Sequence, residues 1–155
     1  MRIINKTGVL NNPADRDHCL QYIVAVALLF GNLTAEHYED SFAKDLRIDQ
    51  LREKMQVHEN GQFSKDYLDA DKRSIANAIE IYFKDGSAPV KAQVEYPLGH
   101  LRRREECIPL LIKKFQDNLG HHFSAEKIEK LQELFSNQEQ LERMPVHQFM
   151  TFLSG

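Results

Sequence analysis

Apolar positions follow three rhythms along the chain. From Leu20 to Phe30 nearly every position is apolar. Leu20, Ile23, Val24, Ala27 and Leu28 form one stripe at helical spacing, and Tyr22, Ala25, Val26 and Leu29 cover most of the rest. A helix apolar nearly all round is buried on several sides. Asn12 before Pro13 is a helix start, Asp15 and Asp17 suit the positive end of the dipole, and Gly31 is a stop. One helix from Pro13 to about Phe30 is therefore predicted. Thr34 can cap a short helix through about Phe42, and another is predicted near Ile48 to Lys54. Residues 55 to 74 are polar and irregular, with a strand near Met55 to His58.

The second rhythm has period two. Ile75, Asn77, Ile79, Ile81 and Phe83 alternate with Ala76, Ala78, Glu80 and Tyr82. Beyond Asp85-Gly86, Val90, Ala92, Val94 and Tyr96 alternate with Lys91, Gln93 and Glu95. Alternation on both sides of Asp-Gly predicts a β-hairpin. A hairpin alone is marginal in water and needs a surface to pack on. The third rhythm is helical again after the break at Pro97 and Gly99. Ile108, Leu111, Ile112 and Phe115 make a stripe within Arg103 to Leu119, with Gly120 as its stop. Pro109 moves the regular start of that helix toward Cys107. Ser124 caps the next helix, with face Ile128, Leu131, Leu134 and Phe135. A last helix begins near Met144-Pro145. The predicted fold class is α+β: a mixed first part holding the hairpin, then a helical tail. The abrupt Ile3-Ile4, resembling the end of a strand, and the thin sheet suggest a piece of a larger protein.

Composition narrows the function. The chain has 155 residues, with 20 Lys and Arg against 23 Asp and Glu for a net charge of -3. Near balance disfavours a nucleic-acid binder, and the short cluster Arg102-Arg103-Arg104 is too isolated to change that. No apolar run reaches the roughly 20 residues that span a bilayer, and no leader is visible. A soluble, cytoplasmic protein without membrane or nucleic-acid partners is expected. Cys19 and Cys107 form no CxxC pair and cannot by themselves ligate a cluster; buried thiols in a reducing compartment are expected. His121-His122 and His147 have no acid or cysteine at ligand spacing, so no metal site is predicted, and the pair suits a helix end.

Four segments carry a resemblance. They are Asn11-Asn12-Pro13-Ala14-Asp15-Arg16-Asp17-His18-Cys19-Leu20-Gln21-Tyr22, then Ile75-Ala76-Asn77-Ala78-Ile79, then Glu95-Tyr96-Pro97-Leu98-Gly99-His100 with Arg102-Arg103-Arg104, and Met144-Pro145-Val146. Together they resemble the MmgE/PrpD family, and the first string resembles its methylcitrate branch. Gln-Tyr and Gly-His are shared more widely in the family, including with cis-aconitate decarboxylation. The resemblance runs through the whole chain but covers only about the C-terminal third of a family member. It implies that residues 1–97 are the C-terminal part of an α/β lid domain and that 98–155 are helices returning to a helical lobe. The implied reaction is loss of water from 2-methylcitrate to 2-methyl-cis-aconitate in propionate breakdown. The family does this without an iron–sulfur cluster, so no cofactor is expected. The implied partners are a tricarboxylate substrate, the missing N-terminal helical lobe and a second copy in a homodimer.

Eliminating water from a tricarboxylate needs a base, an acid for the departing hydroxyl, and cationic groups for the carboxylates. Tyr22 is the candidate catalytic residue: the resemblance matches it to a tyrosine that the lid presents to the active site. Read from the residues alone, it is a core tyrosine with its hydroxyl at an edge. The candidate substrate-binding residues are His18, Arg16, His100 and Arg102. His18, one turn before Tyr22, could bind a carboxylate or hydrogen-bond locally. Arg16 could grip a carboxylate bidentately or be a solvated helix-start charge. His100 and Arg102 could line an anionic site near the lobe junction or brace that junction through ion pairs, the reading favoured for Arg103 and Arg104. The resemblance puts the general base and acid outside this chain. The other readings are a related tricarboxylate lyase, such as a cis-aconitate decarboxylase, and a non-catalytic interaction domain.

Overall fold

The computed structural model describes residues 4–154. The chain forms two compact units, residues 1–65 and 66–155. The change expected at Pro97–Gly99 falls inside the second unit, where the chain passes from hairpin to helices. Of the expected strand end at Ile3-Ile4, Ile3 lies outside the described residues and Ile4 is in a turn.

In the first unit the predicted long helix is two helices, α1 (Pro13–Arg16) and α2 (Leu20–Phe30). The start is as expected: Asn12 Oδ1 accepts from the Asp15 amide at 2.9 Å. The break has a local cause. Cys19 is extended at φ -114° and ψ 106°, and the Leu20 amide donates to Ile4 O at 2.8 Å instead of closing a helical turn. This turns the Cys19 side chain fully into the core. α2 buries Gln21, Tyr22, Ala25 and Val26, with Leu29 packed against them, whereas Leu28 is half exposed. The second apolar stripe is therefore the core face, and among the described residues burial on several sides is not observed. Gly31 closes α2 at φ 78°, its amide bonded to Ala27 O at 2.9 Å. A Cβ there would meet nothing within 4 Å. Gly31→Ala thus pays only for the left-handed backbone, and we expect it to lower the urea midpoint by the equivalent of about 1 kcal/mol with an unchanged m-value.

Two short 3-10 turns follow, Ala35–Tyr38 and Phe42–Lys44, where one helix through Phe42 was expected. Asp45 caps α3 (Leu46–Arg52), and Ile48 enters the core beside Cys19, Tyr22, Ala25 and Val26. The strand expected at Met55–His58 does not form. Asn60 instead starts α4 (Gly61–Leu68), its Oδ1 accepting from the Gln62 amide at 2.9 Å. Residues 55 to 74 were expected to be irregular, and this helix was not read from the sequence.

In the second unit β1 (Asn77–Ile81) and β2 (Val90–Val94) pair antiparallel, with Asn77 opposite Val94, Ile79 opposite Ala92 and Ile81 opposite Val90. Gly86, at φ 77°, lies in the turn as predicted. Among the described residues nothing covers β2, whose five residues are all exposed. α5 (Arg104–Leu119) starts before Pro109, not near Cys107. Proline costs one hydrogen bond there, close to a helix start whose first four amides lack partners anyway. Cys107 is the residue of α5 that is buried; Ile108, Leu110, Leu111 and Ile112 are each about half exposed. α6 (Ala125–Ser136) is capped by Ser124 and buries Leu131 and Leu134. α7 (Gln138–Arg143) and α8 (Val146–Leu153) complete the unit. Phe135 stands edge-on to Phe115 at 5.1 Å and to Phe149 at 6.1 Å, joining α5, α6 and α8. The fold is α+β: helices and one two-stranded hairpin.

Candidate functional site

The first-unit candidates are carried by the α1–α2 break and α2. Tyr22 is 2% exposed, and its hydroxyl donates to His37 O at 2.6 Å. Burial pushes its phenol above the usual 10.0. Its ring lies 6.3 Å from that of Tyr38, whose phenol burial also pushes up. Arg16 is not a solvated charge. Its side chain is buried, and its Nη1 donates to Tyr38 O at 2.6 Å and pairs with Asp40 Oδ1 at 2.7 Å. Arg16 and Tyr22 thus converge on one short turn, Ala35–Tyr38, and hold its carbonyls. Within this chain the Arg16 guanidinium and the Tyr22 hydroxyl are thus both engaged by groups of the same unit.

His18 differs. It sits in the break between α1 and α2, exposed, with Nδ1 against the Asp17 carboxylate. A carboxylate on Nδ1 accepts its proton, so Nε2 is the nitrogen left for another partner. Because the helix is interrupted at Cys19, His18 does not share a helical face with Tyr22. His37 was missed in the sequence. It is buried, its Nδ1 receives the Thr34 amide at 2.8 Å, and its ring packs on Phe42 at 4.3 Å and Phe30 at 5.8 Å. The Thr34-to-His37 spacing, that of a capping box with histidine at the third helical position, was the available signal.

In the second unit His100 and Arg102 do meet. His100 Nδ1 accepts from the Arg102 amide at 3.1 Å, which caps the 3-10 turn Leu101–Arg103. Its other nitrogen, Nε2, then carries the proton and donates to Arg73 O at 3.1 Å. Arg102 donates to Tyr96 Oη at 2.9 Å and to Asp71 O at 2.6 Å, with its Cζ 4.8 Å from the Tyr96 ring centre. Partial desolvation, then a hydrogen bond to Glu95, raises the Tyr96 phenol. Arg103 pairs with Glu106 at 2.7 Å and also donates to Tyr96 O at 3.0 Å. The bracing reading therefore describes Arg103, and it also describes much of what His100 and Arg102 do: they clamp the turn at residues 69–74. Within that turn Arg73 has φ 47°, the one positive value among the described non-glycine residues. That conformation costs about 1–2 kcal/mol for an L side chain.

No group of three or more His, Cys, Asp or Glu side chains that could hold a metal is found among the described residues. Both cysteines are free and buried. His121 and His122 close the end of α5 through their amides, bonded to Asn118 O at 3.3 Å and Leu119 O at 3.0 Å. A shallow depression beside them, lined by Gln116, Asp117, His121 and Glu129, includes none of the candidate residues. No described helix is long and apolar enough to cross a membrane.

Residues 1–140 match the family model described as the MmgE/PrpD C-terminal domain. The chain is 51% identical over 150 residues to 2-methylcitrate dehydratase of Escherichia coli K12, which covers 97% of this chain and 31% of that protein. It is 50% identical over 150 residues to 2-methylcitrate dehydratase of Cupriavidus necator, with the same coverage. It is 47% identical over 150 residues to the mitochondrial 2-methylcitrate dehydratase of Yarrowia lipolytica, covering 97% of this chain and 28% of that protein. The chain thus spans about a third of the length of the curated relatives it matches.

Proposed function

The chain belongs to the MmgE/PrpD family as a C-terminal domain, and on that premise we propose that it is the C-terminal portion of a 2-methylcitrate dehydratase. The intact enzyme removes water from 2-methylcitrate to give 2-methyl-cis-aconitate, a step of propionate catabolism. The observation that carries this reading is identity of about one residue in two, extending over 97% of the chain and so through both units. The half-exposed Ile108, Leu110, Leu111 and Ile112 on α5 and the uncovered β2 agree with it. Such faces belong against other protein. In this reading residues 1–97 complete the lid, residues 98–155 rejoin the helical lobe, and the intact protein is a homodimer. The compartment is the cytoplasm, or a mitochondrion as in the Yarrowia relative's name; both suit two free thiols.

The elimination takes a proton from the carbon beside a carboxylate and gives one to the departing hydroxyl, which leaves as water. The base and acid come from outside this chain. His18 presents Nε2 to a substrate carboxylate while Asp17 holds Nδ1. Arg16 and Tyr22 position the turn at His37–Tyr38, and His100 and Arg102 position the turn at 69–74.

The test is a chimera. This chain replaces the matching C-terminal segment of the Escherichia coli enzyme, and the purified protein is assayed with 2-methylcitrate and with cis-aconitate. Formation of 2-methyl-cis-aconitate supports the reading. A folded chimera inactive on 2-methylcitrate overturns it, and carbon dioxide release from cis-aconitate would assign the decarboxylase instead.

A further inference from the structure

The turn at residues 69–74 is held from several directions. Asp69 O accepts from the amides of Lys72 at 3.2 Å and Arg73 at 2.8 Å, and Asp66 O accepts from the Ser74 amide at 3.3 Å. Asp69 Oδ1 accepts from the Asp71 amide at 2.9 Å. Arg102 and His100 reach the carbonyls of Asp71 and Arg73. The result keeps Arg73 at φ 47°, a conformation that glycine or asparagine adopts readily and arginine does not. A conformation this unfavourable persists when its surroundings determine it, and such positions gather at ligand sites.

The other basic side chains in and against the turn are committed. Lys72 pairs with Asp66 at 3.1 Å, Arg103 with Glu106 at 2.7 Å, and Arg102 spends its guanidinium on Tyr96 and Asp71. Arg73 is exposed, and its guanidinium has no hydrogen bond or ion pair among the described residues. Beside it, Ser74 is fully buried and its Oγ has no hydrogen-bond partner among the described residues. A buried hydroxyl without a protein partner is uncommon. One turn therefore combines a free planar cation, an unfavourable backbone and an unused buried hydroxyl.

We propose that Arg73 is a carboxylate-binding residue, the anchor of a polycarboxylate site built on the turn at residues 69–74. Its guanidinium fork takes one carboxylate of a citrate-like ligand bidentately. His100, Arg102 and Lys72 are the frame that keeps the turn in shape. Assignment of this ligand as the dehydratase substrate rests on the function proposed above; the binding itself does not.

The probe is citrate, titrated at low salt into the 155-residue chain and followed by amide NMR. Saturable shifts centred on Arg73 and Ser74 are expected. Arg73→Gly suits the observed φ and keeps the fold, so it isolates the loss of the guanidinium. It should weaken citrate by about tenfold or more. Arg73→Asn, which also tolerates this backbone, should do the same, and Arg73→Lys should fall between. No citrate binding, shifts centred elsewhere, or wild-type affinity retained in Arg73→Gly and Arg73→Asn would overturn the proposal. The two readings fail separately. An inactive chimera with Arg73-dependent citrate binding removes only the dehydratase assignment. An active chimera with citrate binding indifferent to Arg73 removes only this site.

Discussion

Tyr22→Ala is expected to unfold the first unit. The side chain is 2% exposed at the centre of the cluster with Cys19, Ala25, Val26 and Ile48. Deleting an aromatic ring from such a position costs about 3–5 kcal/mol. A unit of this size has only about 3–9 kcal/mol in total. The measurement is the amide spectrum of residues 4–65, which should collapse toward unfolded shifts. Tyr22→Phe separates the ring from the hydroxyl. It keeps the packing but strips His37 O of its donor, so a loss of about 1–2 kcal/mol is expected in urea unfolding. The same group adds alkaline sensitivity. Burial raises the phenol above 10.0, so the folded state prefers the neutral form. Its contribution is fully present below about pH 10 and is lost as pH rises through the folded value. Unfolding on the alkaline side should therefore steepen in the wild type relative to Tyr22→Phe. Coinciding alkaline curves would show that the hydroxyl is not buried.

The second large effect is at Arg16. Arg16→Met keeps much of the aliphatic bulk but removes the donor to Tyr38 O and the partner of Asp40. A buried carbonyl left without its charged donor costs about 2–3 kcal/mol. For a unit of this size that is a fall of about 10–20 °C in Tm. Asp40→Asn should cost under about 1 kcal/mol, because Asp40 is 73% exposed and water screens the pair. Equal losses in the two variants would make the ion pair, and not the buried carbonyl contact, the source of stability. In the chimera, Arg16→Met should lower activity only in step with stability, since Arg16 holds a turn.

Particular residues show what could be read from sequence. The Asn12-Pro13 start, the Gly31 stop, the Ser124 cap and the hairpin around Asp85-Gly86 were legible because each depends on a few neighbouring residues. The break at Cys19 was not, because it turns on an amide donated to Ile4, sixteen positions away. The choice of core stripe on α2 was hidden for a related reason. Both stripes are apolar, and only the arrival of Ile48 on α3 decides which one is buried. The same limit applied to the candidate site. The string from Asn11 to Tyr22 marked family and position, but not that Arg16 and Tyr22 turn inward onto His37 and Tyr38 while His18 stays exposed.

The sequence by itself determined the hairpin, the principal helices, the α+β class and the family, since these rest on local periodicity, caps and matching residues. Tertiary structure alone decided which charges are free. Arg102, prominent in sequence, is tied to Tyr96 and Asp71, whereas Arg73, one basic residue among 20, keeps an uncommitted guanidinium. Hydrogen bonds from His100 and Arg102 to residues 71–73 join segments about 30 positions apart, and no local pattern encodes such pairings.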